Sequence, residues 1–264
     1  MEYKKQTVLR NQGSFFSYLK VRTLQMGKMT INCLGNNTTR QLLRMAGKMI
    51  DFIREVLKLY VERGPWFLEL LAAHIRLSLM AIAIAGTLGL VIGIILSEYR
   101  KAAPLVIGIC NVFYTIPSIS MLGILIPLLG IGDKNAVTAI SIYALMPMVR
   151  NTYTGLTTVD KDILEAAKAM GSTRMQILTR VTLPLAFPVI LTGLRSMTVM
   201  AISMCGLASY IGASGLGKAI YRGISIYNPQ MTFAGSILIA LLALAADMLL
   251  GLIERIYKKK RRME

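Results

Sequence analysis

Asp160–Pro188 reads DKDILEAAKAMGSTRMQILTRVTLPLAFP, a polar, helix-forming stretch set between hydrocarbon-like segments. Helix formers run from Ile163 to Leu178 with Gly171 the one breaker, so the spacing predicts two short helices hinged at Gly171-Ser172-Thr173. Pro184 and Pro188 then mark the start of a further apolar segment. Small side chains at Ala166 and Ala167 let another surface approach the helix closely, and Gly171 permits a sharp bend that a Cβ would resist. Glu165, near the start of the helix, complements its dipole. The stretch reads as a loop that offers a helix to a partner.

Outside it the chain is largely hydrocarbon. Of 264 residues 55% are hydrophobic, and the mean hydropathy is +0.57. Leu77–Ser97, Ala102–Gly132, Ser196–Gly217 and Gly223–Ala246 carry no charge, and each reaches the roughly 20 residues a helix needs to cross a bilayer. Asn135–Val149 is shorter, and it extends through Asn151–Val159 if Arg150 snorkels to the interface. Backbone groups in lipid must bond internally, so these runs are helices. The expected fold is an all-α polytopic membrane protein of about five transmembrane helices, or six.

The net charge of +17 raises the question of nucleic acid, and its location answers it. Residues 1–48 hold nine Lys/Arg and one Glu, giving +8; residues 253–264 hold six against two, giving +4; residues 150–180 hold five against three, giving +2. Basic flanks around apolar spans are the sign of cytoplasmic loops and anionic lipid contact. No soluble module is visible that could display a DNA-binding face, so nucleic acid is not an expected partner. Cys33, Cys110 and Cys205 share no metal-like spacing and read as small apolar residues, with neither a metal nor a disulfide framework.

In chain order, residues 1–48 show little periodicity and form a basic extension expected to be disordered or not translated. Residues 49–65 repeat apolar positions at helical spacing with charges between, an interfacial amphipathic helix ended by Gly64-Pro65. The apolar core covers 66–255, its polar loop 150–184, and a basic tail 256–264 follows. In the first span Gly89 and Gly93 stand in small-xxx-small spacing, the pattern of close helix packing. His74, the single histidine, has no partner for acid–base or metal chemistry and reads as interfacial. Pro104, Pro117 and Pro127 interrupt the second apolar run. Arg195 and Asp247 lie within spans, where charge is costly and faces protein or water. Gly212–Ala219, GASGLGKA, fits GxxxxGK, but Ala219 stands where a phosphate loop needs a hydroxyl and no strand precedes it; nucleotide binding is not expected.

Glu165-Ala166-Ala167, then Gly171 after three residues, then Val181, Leu183 and Pro184 at matching distances, resemble the EAA loop of ABC-transporter permeases, with Val181 in place of the more usual Ile. Tyr114-Thr115-Ile116-Pro117-Ser118-Ile119, Ile126–Gly132 and Pro147–Gly155 resemble the permeases for quaternary-ammonium osmoprotectants: glycine betaine, choline and carnitine. The resemblance implies a type I ABC importer permease fold. It further implies a cytoplasmic coupling loop in which Asp160, Glu165, Ala166, Ala167, Gly171, Leu183 and Pro184 meet an ATPase. Implied partners are an ABC ATPase dimer that uses ATP-Mg, an extracytoplasmic substrate-binding protein and a second permease subunit, identical or homologous, in the lipid bilayer of a bacterial cell. No cofactor would be held by this chain. Residues offered for the pathway or its gate are Tyr114, Pro117, Tyr143, Arg195, Tyr210, Gly215 and Asp247, and Gly212–Ala219 resembles the family's external turn.

Three rival readings have discriminators. An intramembrane enzyme needs clustered His, Glu, Asp or Ser–Lys groups, which Arg195 with Asp247 do not supply. A passive channel works without a coupling loop. A methionine permease shares the loop but differs at the Tyr114–Gly132 segment. Orientation poses one puzzle: with the loop and tail cytoplasmic, five spans put the +8 extension outside. Translation from Met49 or Met45 would remove it.

Overall fold

The computed structural model describes residues 41–261, with side chains through 259. Residues 41–57 form a helical unit of their own. Helix therefore already covers 41–48, ahead of the start expected at Met49; Gln41-Leu42-Leu43-Arg44-Met45 are strong helix formers. The rest of the expected extension, 1–40, lies outside the described residues.

The second unit, residues 58–261, is all helical. Residues 58–62 are helical, Arg63 is a turn, and α1 runs Gly64–Glu98. Gly64-Pro65 thus opens a helix as much as it ends one: Pro65 sits in the first turn, where its missing N–H costs nothing. Hydrogen bonding barely lapses, since the Arg63 N–H donates to the Leu59 carbonyl at 3.0 Å and the Phe67 N–H to the Arg63 carbonyl at 3.1 Å. Next come α2, Ala103–Thr115, and α3, Ser118–Leu129, bent by 98° at Ile116-Pro117, both of which are extended. Of the three prolines in this run only Pro117 makes a break. Pro104 begins α2, and Pro127 sits in the last turn of α3.

Helix α4 covers Asp133–Thr157, α5 Lys161–Ala169 and α6 Arg174–Ile177; a π segment, Leu178–Thr182, leads into α7, Leu183–Leu207, and a 3₁₀ turn, Ala208–Ile211. Helices α8, Gly217–Ser225, and α9, Pro229–Arg261, complete the unit. Most of the tail expected from 256 is therefore a continuation of α9. Pro184 stands in the first turn of α7, at the start of the segment it was expected to mark, and Pro188 lies inside that helix; the π segment widens the turn ahead of Pro184, with the Leu183 N–H reaching back to the Leu178 carbonyl.

Helix α4 is the centre of the bundle, packed by α1 on one side and α7 on another, while α9 lies against α7 and α8. Its buried positions include Asn135, Ser141 and Thr152, polar groups that face protein rather than hydrocarbon. This is why α4 lacks the hydropathy of a span. Among the described residues three helices are long and apolar enough to cross a membrane, Gly64–Glu98, Arg174–Ile211 and Pro229–Lys259, and four if the bent α2–α3 pair counts as one. With α4, five helical segments stand where five spans were expected; none of the described residues supplies a sixth. Helix α9 leaves Leu244, Met248, Leu249 and Leu252 exposed, an exterior suited to hydrocarbon rather than water.

The small residues do the close packing. A Cβ on Gly89 would lie 2.7 Å from Cβ of Met148, and one on Gly93 would lie 2.5 Å from Cβ of Thr152. Backbones this close gain dispersion contacts that larger residues would forbid. Gly93→Leu is expected to force α1 off α4 and to destabilise by about 3 kcal/mol, seen as a lowered melting temperature in detergent, while Gly108→Leu, where nothing lies within 4 Å, leaves it unchanged.

Candidate functional site

The polar loop is a chain of capped turns. The Asp160 carboxylate accepts the Asp162 N–H at 3.0 Å, capping α5 at its N-terminus. Gly171 closes the other end with φ +79°: its N–H donates to the Lys168 carbonyl at 3.0 Å, and the Ser172 N–H to the Ala167 carbonyl at 3.2 Å. That pair of bonds is a Schellman motif, whose left-handed residue favours glycine. Thr173 then starts α6 through a reciprocal box, its N–H donating to Gln176 Oε1 at 2.8 Å while Thr173 Oγ1 accepts the Gln176 N–H at 3.4 Å. The two helices and the hinge fall where propensity put them. The Arg174 guanidinium pairs with Glu98, tying the loop to the end of α1.

Helix α5 has two faces. Ile163, Ala166, Ala167 and Met170 share one side by helical spacing. No residue of α5 is buried, and Met170, its C-cap, is 86% exposed. Lys161, Leu164, Glu165 and Lys168, at i, i+3, i+4 and i+7, share the opposite side and line a hollow of about 570 Å³ against the ends of α1 and α4. Glu165, the residue with the strongest sequence signal, is on this inner side. Leu183 and Pro184 are not on the loop's outer face either. Leu183 packs on the core, and the Pro184 carbonyl accepts the Tyr257 hydroxyl at 3.1 Å, beside Phe187, whose ring centroid is 4.4 Å from that of Tyr257. They fasten the start of α7 to α9.

Arg195 and Asp247, 52 residues apart in sequence, are brought into a bidentate pair: Nε donates to Oδ1 at 3.0 Å and Nη2 to Oδ2 at 2.9 Å. The third member was not foreseen. Nη1 donates to Glu254 Oε2 at 2.9 Å, and Lys258 Nζ lies 3.0 Å from Glu254 Oε1. Asp247, Gly251 and Glu254 lie on one face of α9, and a Cβ on Gly251 would come within 3.2 Å of the guanidinium carbon. That carboxylate–glycine–carboxylate stripe is the signal that could have found the triad. Arg195 and Asp247 line a cavity of about 740 Å³ with Tyr114, Thr192 and Ser196. Tyr143 stands behind it, its hydroxyl donating to the Ile116 carbonyl at the Pro117 bend and its ring 6.3 Å from that of Tyr114. Tyr114, Pro117, Tyr143, Arg195 and Asp247 are thus neighbours.

Tyr210 and Gly215 are not part of that cavity's lining. Tyr210 meets Tyr221 edge-on at 5.4 Å. Gly215, φ +119°, belongs to a tight turn seated on His74. The interfacial reading of His74 is wrong: it is fully buried between α7 and this turn. The Leu216 N–H can only donate, and does so to Nδ1 at 3.3 Å. Nε2 must then carry the proton it gives to the Ile202 carbonyl at 3.0 Å. The Ser214 N–H donates to Asp133 Oδ1 at 2.7 Å, and Ala213, Leu216 and Ala219 have no exposure. The glycine-rich stretch is a docked turn, with no open cradle for a phosphate.

The family model for the binding-protein-dependent transport system inner membrane component matches residues 85–259. The choline transport system permease protein OpuBB of Bacillus subtilis (strain 168) is 39% identical over 182 residues, 69% of this chain and 84% of that protein. The glycine betaine/carnitine/choline transport system permease protein OpuCD of the same organism is 36% identical over 216 residues, 80% and 94%. Among solved structures, an inward-facing MetNI methionine ABC transporter matches with a TM-score of 0.69 at 24% identity, over 74% of this chain and 98% of that one; this likeness carries the fold, that of type I ABC importer permeases. The chain belongs to the family of binding-protein-dependent transport system inner membrane components, multi-pass membrane subunits of ABC importers.

Proposed function

We propose that this chain forms the translocation pathway of an ATP-driven importer for quaternary-ammonium osmoprotectants, glycine betaine, choline and carnitine, and is driven by a separate ATPase dimer through α5. The observation that carries the coupling half is the apolar face of α5, with Ile163, Ala166 and Met170 exposed and Ala167 half-buried, on a helix capped at both ends and held outside the bundle. Such a face fits a groove on a partner. The substrate class rests on what the relatives transport. The chain is a transport subunit and performs no hydrolysis; the ATPases use ATP-Mg and a binding protein delivers the solute from outside. The loop and the C-terminus of α9 face the cytoplasm. A second permease subunit completes the cavity of Tyr114, Arg195 and Asp247, which is half of the pathway.

Labelled uptake in a transporter-deficient host tests this, with the chain expressed beside its neighbouring ATPase and binding-protein genes. Betaine or choline uptake is expected to saturate and to vanish without the ATPase. Ile163→Asp with Met170→Asp removes the docking face, and Glu165→Lys reverses the charge at the inner face. Each is expected to cut uptake roughly 30-fold or more at unchanged membrane level, the scale of losing one interface hot spot. Uptake that survives loss of the ATPase overturns the importer reading. Methionine uptake alone would keep the mechanism and change the substrate.

A further inference from the structure

The hollow behind α5 has a charge its own lining does not neutralise. Arg100, Lys161, Lys168 and Arg174 converge on it with only Glu98 and Glu165 against them, a formal +4 −2, or +2. Arg174 is taken by Glu98. Among the described residues no ion pair engages Arg100, Lys161 or Lys168; Glu165, four residues after one lysine and three before the other, pairs with neither. Three cations facing one concavity repel one another, and an anion seated between them removes that repulsion. The hollow also has a definite depth. Its wall begins at Ser97 and Glu98, where the uncharged run of α1 stops, so it opens at the level of lipid headgroups.

We propose that this hollow is a binding site for a phosphate group, that of an anionic phospholipid headgroup or free phosphate, held by Arg100, Lys161 and Lys168. A phosphate carries one to two negative charges and several acceptor oxygens, matching the surplus of +2 and the Ser172 hydroxyl in the same wall. Its occupant bridges the fixed ends of α1 and α4 to the inner face of α5. The coupling helix then rests on an ion, and its stiffness depends on what fills the site. Binding itself is independent of which solute the importer carries.

The test reads binding on the full chain. Native mass spectrometry after release from nanodiscs of mixed phosphatidylcholine and phosphatidylglycerol counts retained anionic lipid. Calorimetric titration of inorganic phosphate into phosphatidylcholine nanodiscs covers the soluble source. One retained phosphatidylglycerol, or one saturable phosphate, is expected. Each cation near an anionic group is worth about five-fold in affinity, so Arg100→Gln/Lys161→Gln/Lys168→Gln should weaken retention on the order of 100-fold. Lys101→Gln/Lys134→Gln/Lys218→Gln, the same charge change at exposed lysines outside the hollow, should leave it unaltered, with equal helix content by circular dichroism in both variants. Lipid retention identifies the headgroup as the source, and phosphate binding alone identifies a soluble one. Equal loss in both triple variants, or no binding in either arm, overturns the proposal.

Discussion

Arg195→Met is expected to lower the melting temperature by on the order of 5 °C in a chain of this size. The network is half-buried, with the Asp247 side chain 36% and that of Glu254 11% exposed, so the loss lies between that of an exposed pair and that of a buried one. The loss comes from what the change leaves behind: two carboxylates on one face of α9, with Lys258 the remaining counter-charge and nothing for Asp247. Adding Asp247→Asn and Glu254→Gln to Arg195→Met should recover most of the loss, since no uncompensated charge then remains. Thermal unfolding in detergent distinguishes the cases. A single variant that melts like the parent would show that the network contributes nothing to stability.

Gly217→Ala should cost still more, although it adds one methyl group. The new Cβ would stand 2.0 Å from the Gly206 carbonyl oxygen and 2.4 Å from Ser209 Oγ. The first contact is backbone, which no rotamer change relieves, so α8 must lift away from the end of α7. A loss beyond about 4 kcal/mol places it among the exceptional substitutions, and the expected readout is failure to accumulate in the membrane. Gly171→Ala is the contrast: it has φ +79° and nothing within 4 Å, so its cost is the left-handed conformation alone, about 1–2 kcal/mol. Accumulation of Gly217→Ala at the level of Gly171→Ala would refute the packing account.

What could be read from the sequence was what is local. Gly171 between two runs of helix formers acts within a few residues of itself, and the spacing of Gly89 and Gly93 marked the close-packing side of α1 but not its partner, Met148 and Thr152 of α4. The partners of His74 lie 128 and 142 residues away, and no periodicity announces them; a lone histidine looked idle because its role is to hold backbone, not to do chemistry. Glu254 stands at the end of the last span beside a run of basic charge, and nothing near it in sequence points to Arg195, 59 residues away. Leu183 and Pro184 carried a motif signal that did not say which way they face. Helix α4 looked too short and polar for a span because hydropathy measures exposure to lipid, and this helix is surrounded by protein.

The 38 residues of Arg174–Ile211 form one nearly unbroken rod, about 57 Å long. Gly193 falls at its midpoint, pressed so closely on α4 that a Cβ there would lie 2.6 Å from Cβ of Asn151. A rod held hard at its centre is a lever with equal arms of about 28 Å. A tilt of about 10° carries each end about 5 Å, in opposite directions, across arms of that length. If this rod tilts as one body about Gly193, a displacement at the α6 end is matched at the docked turn on His74 by an equal one of the reverse sense.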